Sequence, residues 1–295
     1  MKNLRDFTIF IISILLAAML VSAYFLIEDN EAELPKQVRE MDNINVKEYK
    51  NRDVYIIEPA NKDENSQYIL YFHGGAYMGE LENYHWNFIQ KISKETGYGI
   101  IIPDYPLTPK NTYKDVFDMV EPLYTDIIKK INPEKIIMMG DSAGGGLALA
   151  LEEDLGEKEI QVPNKLILIS PWIDITMKNK KIDEVQKNDT DLNKEKLKLA
   201  GIAYAGSKTE DNYLINPIKG PIQKLKNVII YTGTYDILNP DAKDFVERAK
   251  KEGINIDLKE YETAGHIWIL KNNDELANKA FESLIRSIKN EESWF

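Results

Sequence analysis

The chain of 295 residues offers one serine set between glycines, Gly140-Asp141-Ser142-Ala143-Gly144, three histidines (His73, His85 and His266) and no cysteine. A serine hydroxyl is a weak nucleophile until a neighbouring base takes its proton. The G-x-S-x-G pattern has chemical meaning only where a buried strand ends and a helix begins, because the strained turn there lifts the hydroxyl above the strand ends. The flanking residues supply that context: KIIMM (135–139) precedes the motif and GGGLALAL (144–151) follows it. The glycines have a steric reason, since strand and helix approach too closely for a Cβ. A tight strand-to-helix turn that merely contains serine is the competing reading.

The base is expected to be His266, in ETAGHIWIL, after the last expected strand and before the last helix. Open parallel sheets gather their sites on loops at the carboxyl ends of strands, which gives this histidine access to the serine turn. His73 heads an HGG loop, and His85 lies in a helical run beside Trp86. The base needs a carboxylate to fix its tautomer and stabilise its imidazolium. Asp236, in GTYDIL just past the strand NVIIYTG, stands at the expected strand end. Asp241 and Asp244 are rivals, although Asp241 in a first helical turn has a structural explanation in the helix dipole. Asp257, within a strand, and Glu262, close to His266 in sequence, complete the alternatives. An oxyanion needs donors, and HGGA (73–76) follows the strand YILYF. Backbone N–H groups of Gly74, Gly75 and Ala143 are the expected oxyanion hole; a plain tight turn is the bland reading of HGG.

The elements that must position these residues follow from hydrophobic patterning. INVKEYK and VYIIEP read as a β-hairpin at a sheet edge, and from Tyr68 onward short apolar strands alternate with amphipathic helices. That alternation predicts an α/β domain with a mainly parallel sheet covered on both faces. Pro122 is expected to kink one helix, and Asn239 to cap another with Pro240 in its first turn. About fifty residues from Trp172 to Pro221 break the rhythm and contain LNKEKLKLAGIAYAG, a helical stretch that reads as a small insertion. The composition, 43% hydrophobic and 29% charged, suits one large domain plus an appendage.

The appendage is the amino terminus. Lys2 and Arg5 precede an uncharged apolar run from Phe7 to Ile27, followed by Glu28, Asp29, Glu31 and Glu33. Such a run is long enough to cross about 30 Å of hydrocarbon. The charge asymmetry predicts a signal anchor over residues 1–29, with residues 30–295 outside the cytoplasm. A cleaved signal peptide ending near Val21-Ser22-Ala23 is the alternative and would make the protein secreted. A net charge of -11 argues against nucleic-acid binding, which needs a basic face. The absence of cysteine excludes disulfides and thiolate metal sites. There is no Walker loop, and three scattered histidines make a poor metal site. No cofactor or metal is expected, and the oligomeric state is left open.

Taken together, YFHGGAYMG, PDYPLTP, MGDSAGGGLAL, SPWIDIT, GTYDILNPDA and YETAGHIWI resemble the hormone-sensitive-lipase-like branch of the α/β-hydrolase superfamily, which holds many bacterial carboxylesterases and acetyl esterases. The chain order Ser142, Asp236, His266 is that of this fold, and His73, Gly140, Asp141 and Gly144 complete its motifs. The resemblance implies hydrolysis of small or short-acyl esters through an acyl-enzyme, without a cofactor. It also implies a helical cap, here about residues 30–50 and 172–221. Ala76 stands where the third glycine of HGGG is usual, Pro106 replaces the arginine of DYRLAPE, and Ile267-Trp268 follow the histidine in place of Gly-Phe. Tyr77, Trp172, Tyr204, Tyr213 and Trp268 are candidates to line the pocket, core or cap packing being the alternative for each. A peptidase or amidase with the same triad, and a non-catalytic binding protein on a hydrolase scaffold, are the other functions considered.

Overall fold

The structure, a computed structural model, describes residues 43–206 and 211–291. Eight strands, β1 (Ile44–Tyr49), β2 (Arg52–Ile57), β3 (Tyr68–Phe72), β4 (Gly99–Pro103), β5 (Ile136–Asp141), β6 (Lys165–Ile169), β7 (Val228–Gly233) and β8 (Ile256–Tyr261), form one sheet. Their order is β1-β2-β4-β3-β5-β6-β7-β8. The β1–β2 hairpin lies at one edge and β2 pairs antiparallel with β4; all other pairings are parallel. Every residue of β4, β5, β6 and β7 is buried, as continuous apolar strands covered on both faces must be. The edge strand β1 exposes its four central residues. Strand order reverses at β3, flanked by β4 on one side and β5 on the other. In such sheets the crevice for ligands opens above the carboxyl ends at that switch point.

The helices are α1 (Asn83–Thr96), α2 (Tyr113–Ile128), α3 (Ser142–Glu157), α4 (Ile182–Val185), α5 (Lys194–Ala205), α6 (Asn239–Lys251), α7 (Trp268–Lys271) and α8 (Glu275–Lys289). Central helix α3 is buried on all faces from Ser142 to Gly156. Helix α2 continues on both sides of Pro122. Asn239 departs from its expected capping role: its side-chain amide donates instead to Glu260 Oε1 at 2.9 Å and Thr232 Oγ1 at 3.3 Å, so tertiary partners win over the local cap. The short helices α4 and α7 lack enough residues for a periodic pattern, and the sequence does not announce them.

Helices α4 and α5 lie within the insertion at 172–221. Of the stretch 30–50, also expected in the cap, the described part holds β1, which is instead an edge strand of the sheet, paired antiparallel with β2 from Ile44 opposite Ile57 to Tyr49 opposite Arg52. The apolar run Phe7–Ile27 lies outside the described residues. Among the described residues, no helix is long and apolar enough to cross a membrane. The last helix is tied to the sheet by buried Lys165 of β6, whose ammonium donates to the Ser287 carbonyl and to Asn290 Oδ1, the latter at 2.7 Å. Tyr231 of β7 adds a hydroxyl contact to Ser287 Oγ at 2.9 Å.

Several acids are folded into dry surroundings. Burial pushes the Glu152 carboxyl up to about 8, although the Lys226 N–H donates to it, and pushes Glu153 well above its ordinary range. Burial also lifts Asp241 to about 7. Each holds its proton in the folded chain where the unfolded chain has already released it. The stability these three groups contribute is therefore fully present at acidic pH and falls as pH rises from the unfolded value toward the folded one, at up to about 1.4 kcal/mol per pH unit per group. Thermal melts should show the midpoint dropping between pH 5 and pH 8, and Glu152→Gln should flatten that decline; an unchanged slope in the variant would place the proton uptake elsewhere.

Candidate active site

Strand β5 ends at Asp141 and α3 begins at Ser142, whose φ of 51° puts it in the left-handed region. A Cβ on Gly140 would stand 2.3 Å from the Gly144 carbonyl oxygen, and one on Gly144 would stand 2.1 Å from that of Phe72. Both glycines are therefore required for β5, α3 and β3 to meet at this turn. Ser142 Oγ lies 3.0 Å from His266 Nε2, and His266 Nδ1 lies 2.9 Å from Asp236 Oδ2. The carboxylate can only accept, so Nδ1 carries the proton and Nε2 presents its lone pair to the serine hydroxyl. Asp236 Oδ1 accepts the Leu238 N–H at 2.9 Å. The three side chains are buried, with Ser142 at 6%, His266 at 4% and Asp236 at 0% exposure, so their hydrogen bonds face little competition from water.

The alternative acids are engaged elsewhere. Asp241 and Asp244 accept from Asn179 Nδ2 at 2.8 and 2.9 Å, Asp257 pairs with Lys259 at 3.2 Å, and Glu262 is exposed. His266 sits on the loop between β8 and α7, where Ile267 adopts φ 45° and donates its N–H to Ser170 Oγ at 3.2 Å.

The loop after β3 supplies the neighbouring backbone. One expectation is corrected here: the Gly74 N–H donates to Asp141 Oδ1 at 3.0 Å, so it is committed and does not face the serine as a free donor. The N–H groups of Gly75, Ala76 and Ala143 have no hydrogen-bond acceptor among the described residues. Ala143 lies in the first turn of α3, where N–H groups lack helical partners. Gly75, Ala76 and Tyr77 run consecutively through positive φ, at 111°, 55° and 60°. Glycine adopts such angles freely, whereas Ala76 and Tyr77 do so under strain.

Asp141 joins this loop to the serine turn. Its carboxylate, fully buried, also accepts the Tyr71 hydroxyl at 2.5 Å and stands 3.5 Å from His85 Nε2. His85 Nδ1 accepts the Glu82 N–H at 2.9 Å, so the proton of the neutral ring resides on Nε2, the atom nearer Asp141 Oδ2, although the two make no hydrogen bond. Burial alone would raise the Asp141 carboxyl, but His85 and the Tyr71 hydrogen bond outweigh it and hold the group below its ordinary range. His73 donates Nδ1–H to the Gly74 carbonyl at 2.7 Å and stacks on Tyr105 at 4.5 Å. Burial drives its pKa down to about 3, so it is a neutral support for the loop. Tyr71 and Tyr105 fall within the motifs YFHGGAYMG and PDYPLTP, but the sequence does not show that their hydroxyls serve Asp141 and the His73 carbonyl.

Of the aromatic candidates, Tyr77 stacks on Tyr204 of α5 at 3.6 Å and lies 5.8 Å from Trp172, whose backbone N–H donates to the Ser142 carbonyl at 2.8 Å while its indole N–H donates to the Asp174 carbonyl at 3.1 Å. Tyr213 does not join them: its hydroxyl donates to Asp154 at 2.9 Å, roughly 18 Å along α3 from Ser142 at the helical rise. Trp268 is buried against Tyr261 at 5.2 Å. Among the described residues, no group of three or more histidine or acidic side chains is placed to hold a metal.

This architecture and motif set agree with known proteins. A family model described as the alpha/beta hydrolase fold matches residues 69–270, and the chain belongs to that family. An esterase of Acinetobacter venetianus is 31% identical over 201 residues, 66% of this chain and 65% of its own length. An acetyl-hydrolase of Streptomyces hygroscopicus is 23% identical, covering 72% and 71% of the two chains. A solved esterase from the bacterial hormone-sensitive lipase family superposes with a TM-score of 0.77 at 24% identity, covering 85% of each chain. The matched part thus spans just under two thirds of the Acinetobacter esterase.

Two substitutions check this description. Ala76→Gly should raise stability by about 0.5–1 kcal/mol, because a left-handed alanine is strained; denaturant titration would read it. Asp141→Ala should destabilise the fold by about 3 kcal/mol or more, because it strands the Tyr71 hydroxyl and Gly74 N–H in a dry interior.

Proposed function

We propose that the protein is a serine carboxylic ester hydrolase. The observation that carries this reading is the continuous chain of hydrogen bonds Ser142 Oγ, His266 Nε2, His266 Nδ1, Asp236 Oδ2 at 3.0 and 2.9 Å. Ser142 attacks the ester carbonyl while His266 Nε2 takes its proton, and Asp236 holds the imidazole and stabilises its cationic form. The tetrahedral oxyanion is held by the unengaged N–H groups of Gly75, Ala76 and Ala143. His266 then protonates the leaving alcohol, giving an acyl-enzyme on Ser142. Water enters, His266 deprotonates it, and the same tetrahedral sequence releases the acid.

Small or short acyl groups are the substrates favoured by this reading. Buried Tyr77, Tyr204 and Trp172 fill the space beside the oxyanion loop and the first turns of α3. The names of the Acinetobacter and Streptomyces relatives, an esterase and an acetyl-hydrolase, support the same class. The apolar run Phe7–Ile27 supports an outward-facing, membrane-anchored enzyme.

Ser142→Ala should reduce p-nitrophenyl acetate hydrolysis by about 10⁴-fold or more while the protein stays folded. Near-native turnover in that variant would remove the mechanism. In the native protein, turnover should fall steadily from acetyl to dodecanoyl esters, and the matched acetyl amide should be cleaved far more slowly than the ester.

A further inference from the structure

The loop that carries Asp236 has one backbone donor that its immediate surroundings do not satisfy. Thr234 N–H donates to the Tyr261 carbonyl, Tyr235 N–H to Ala264, Asp236 N–H to Gly233 and Asn239 N–H to Asp236, at 3.0–3.1 Å. Leu238 N–H donates to Asp236 Oδ1. The remaining donor in this stretch, Ile237 N–H, is taken by Asp189 Oδ2 at 2.9 Å, across 48 residues of sequence. Ile237 is fully buried, so its N–H would otherwise lack a partner at a cost of about 1–3 kcal/mol.

Asp189 lies in the insertion, between α4 and α5. Its other oxygen, Oδ1, accepts the N–H groups of Asp191 and Leu192 at 2.9 and 2.8 Å. The carboxylate is thus fixed by its own turn and presents Oδ2 outward to the acid loop. Both oxygens accept, which a carboxylate can do and an amide cannot, since an amide must turn an NH₂ toward one of these donors. The same turn reaches the segment that follows the base, through Asp191 and Lys271 at 3.6 Å. We infer that Asp189 is a positioning residue for Asp236, and that through it the insertion helps set the acid–base pair in addition to covering the sheet. This inference rests on the proposed roles of Ser142, His266 and Asp236.

A misplaced catalytic group costs turnover more than ground-state binding, because a displacement near 1 Å suffices to lose about 10²-fold in rate. The test compares the native full chain with Asp189→Asn, Asp189→Ala and a control, Asp183→Asn, which breaks only the insertion's exposed pair with Lys194. Turnover of p-nitrophenyl acetate would be measured well below each variant's melting temperature. Tenfold or greater loss of kcat in Asp189→Asn, with KM within twofold and the control unchanged, is the expected result. The downfield proton resonance of His266 Nδ1–H should shift or broaden in the same variant. A kcat within twofold of native in folded Asp189→Asn, or a change confined to KM, would overturn the inference while leaving the ester-hydrolase reading intact. Should Asp189→Ala fail to fold, Asp189→Asn decides alone, its shape being nearly unchanged. Full activity in Ser142→Ala would instead strike the underlying mechanism.

Discussion

Ser142 is held at φ 51°, a backbone conformation that costs a non-glycine residue roughly 1–2 kcal/mol. Nothing local favours it; the surrounding structure imposes it. Gly140 and Gly144 let strand and helix close around the turn, and the Trp172 N–H fastens the Ser142 carbonyl. One residue earlier, Asp141 uses a buried negative charge to hold Gly74, so the strained turn and the adjacent loop are registered to each other. A charge buried this deeply would be expelled without Tyr71, His85 and that N–H around it. The hydroxyl is raised by sterics, and the loop facing it is fixed by electrostatics.

The sequence makes the broad site legible because its logic is positional. Ser142, Asp236 and His266 each come shortly after an expected strand, and a parallel sheet brings the carboxyl ends of its strands to one rim. The alternation of runs and amphipathic stretches likewise carries the sheet and its flanking helices. What stays hidden depends on which strands are neighbours. Gly74 reads as a free donor until β3 is known to lie beside β5 with Phe72 opposite Gly140, which brings Asp141 against the loop. Asn239 reads as a helix cap until Glu260, on the neighbouring strand, is seen to compete for its amide. Tyr213 looks like a pocket residue by composition alone, and only the length of α3 shows how remote it is. Glu152 and Glu153 directly follow an alanine–leucine run, and only the burial of α3 on all faces shows that they lie inside.

The loop from Gly75 to Tyr77 and the insertion share one problem. Three consecutive positive φ angles place unengaged N–H groups in a row, an arrangement that short-range hydrogen bonds alone do not hold. The Gly75 carbonyl takes the N–H groups of Met78 and Gly79 at 2.9 and 2.8 Å, and the Tyr77 carbonyl takes that of Thr108 at 2.8 Å. The ring of Tyr77 is then pressed against Tyr204 from α5. Strain at the loop is thus offset by packing drawn from a segment more than a hundred residues downstream.

The buried lysine of β6 has a bearing on biogenesis. Lys165 finds its acceptors at Ser287 and Asn290, and the first of these lies 122 residues later. A ribosome adding ~5–20 residues per second delivers that partner only after roughly 6–25 s. Until then, sealing the middle of the sheet would entomb a cation without those two oxygens. These two acceptors of a residue in the middle of the sheet thus become available only once the final helix has been synthesised.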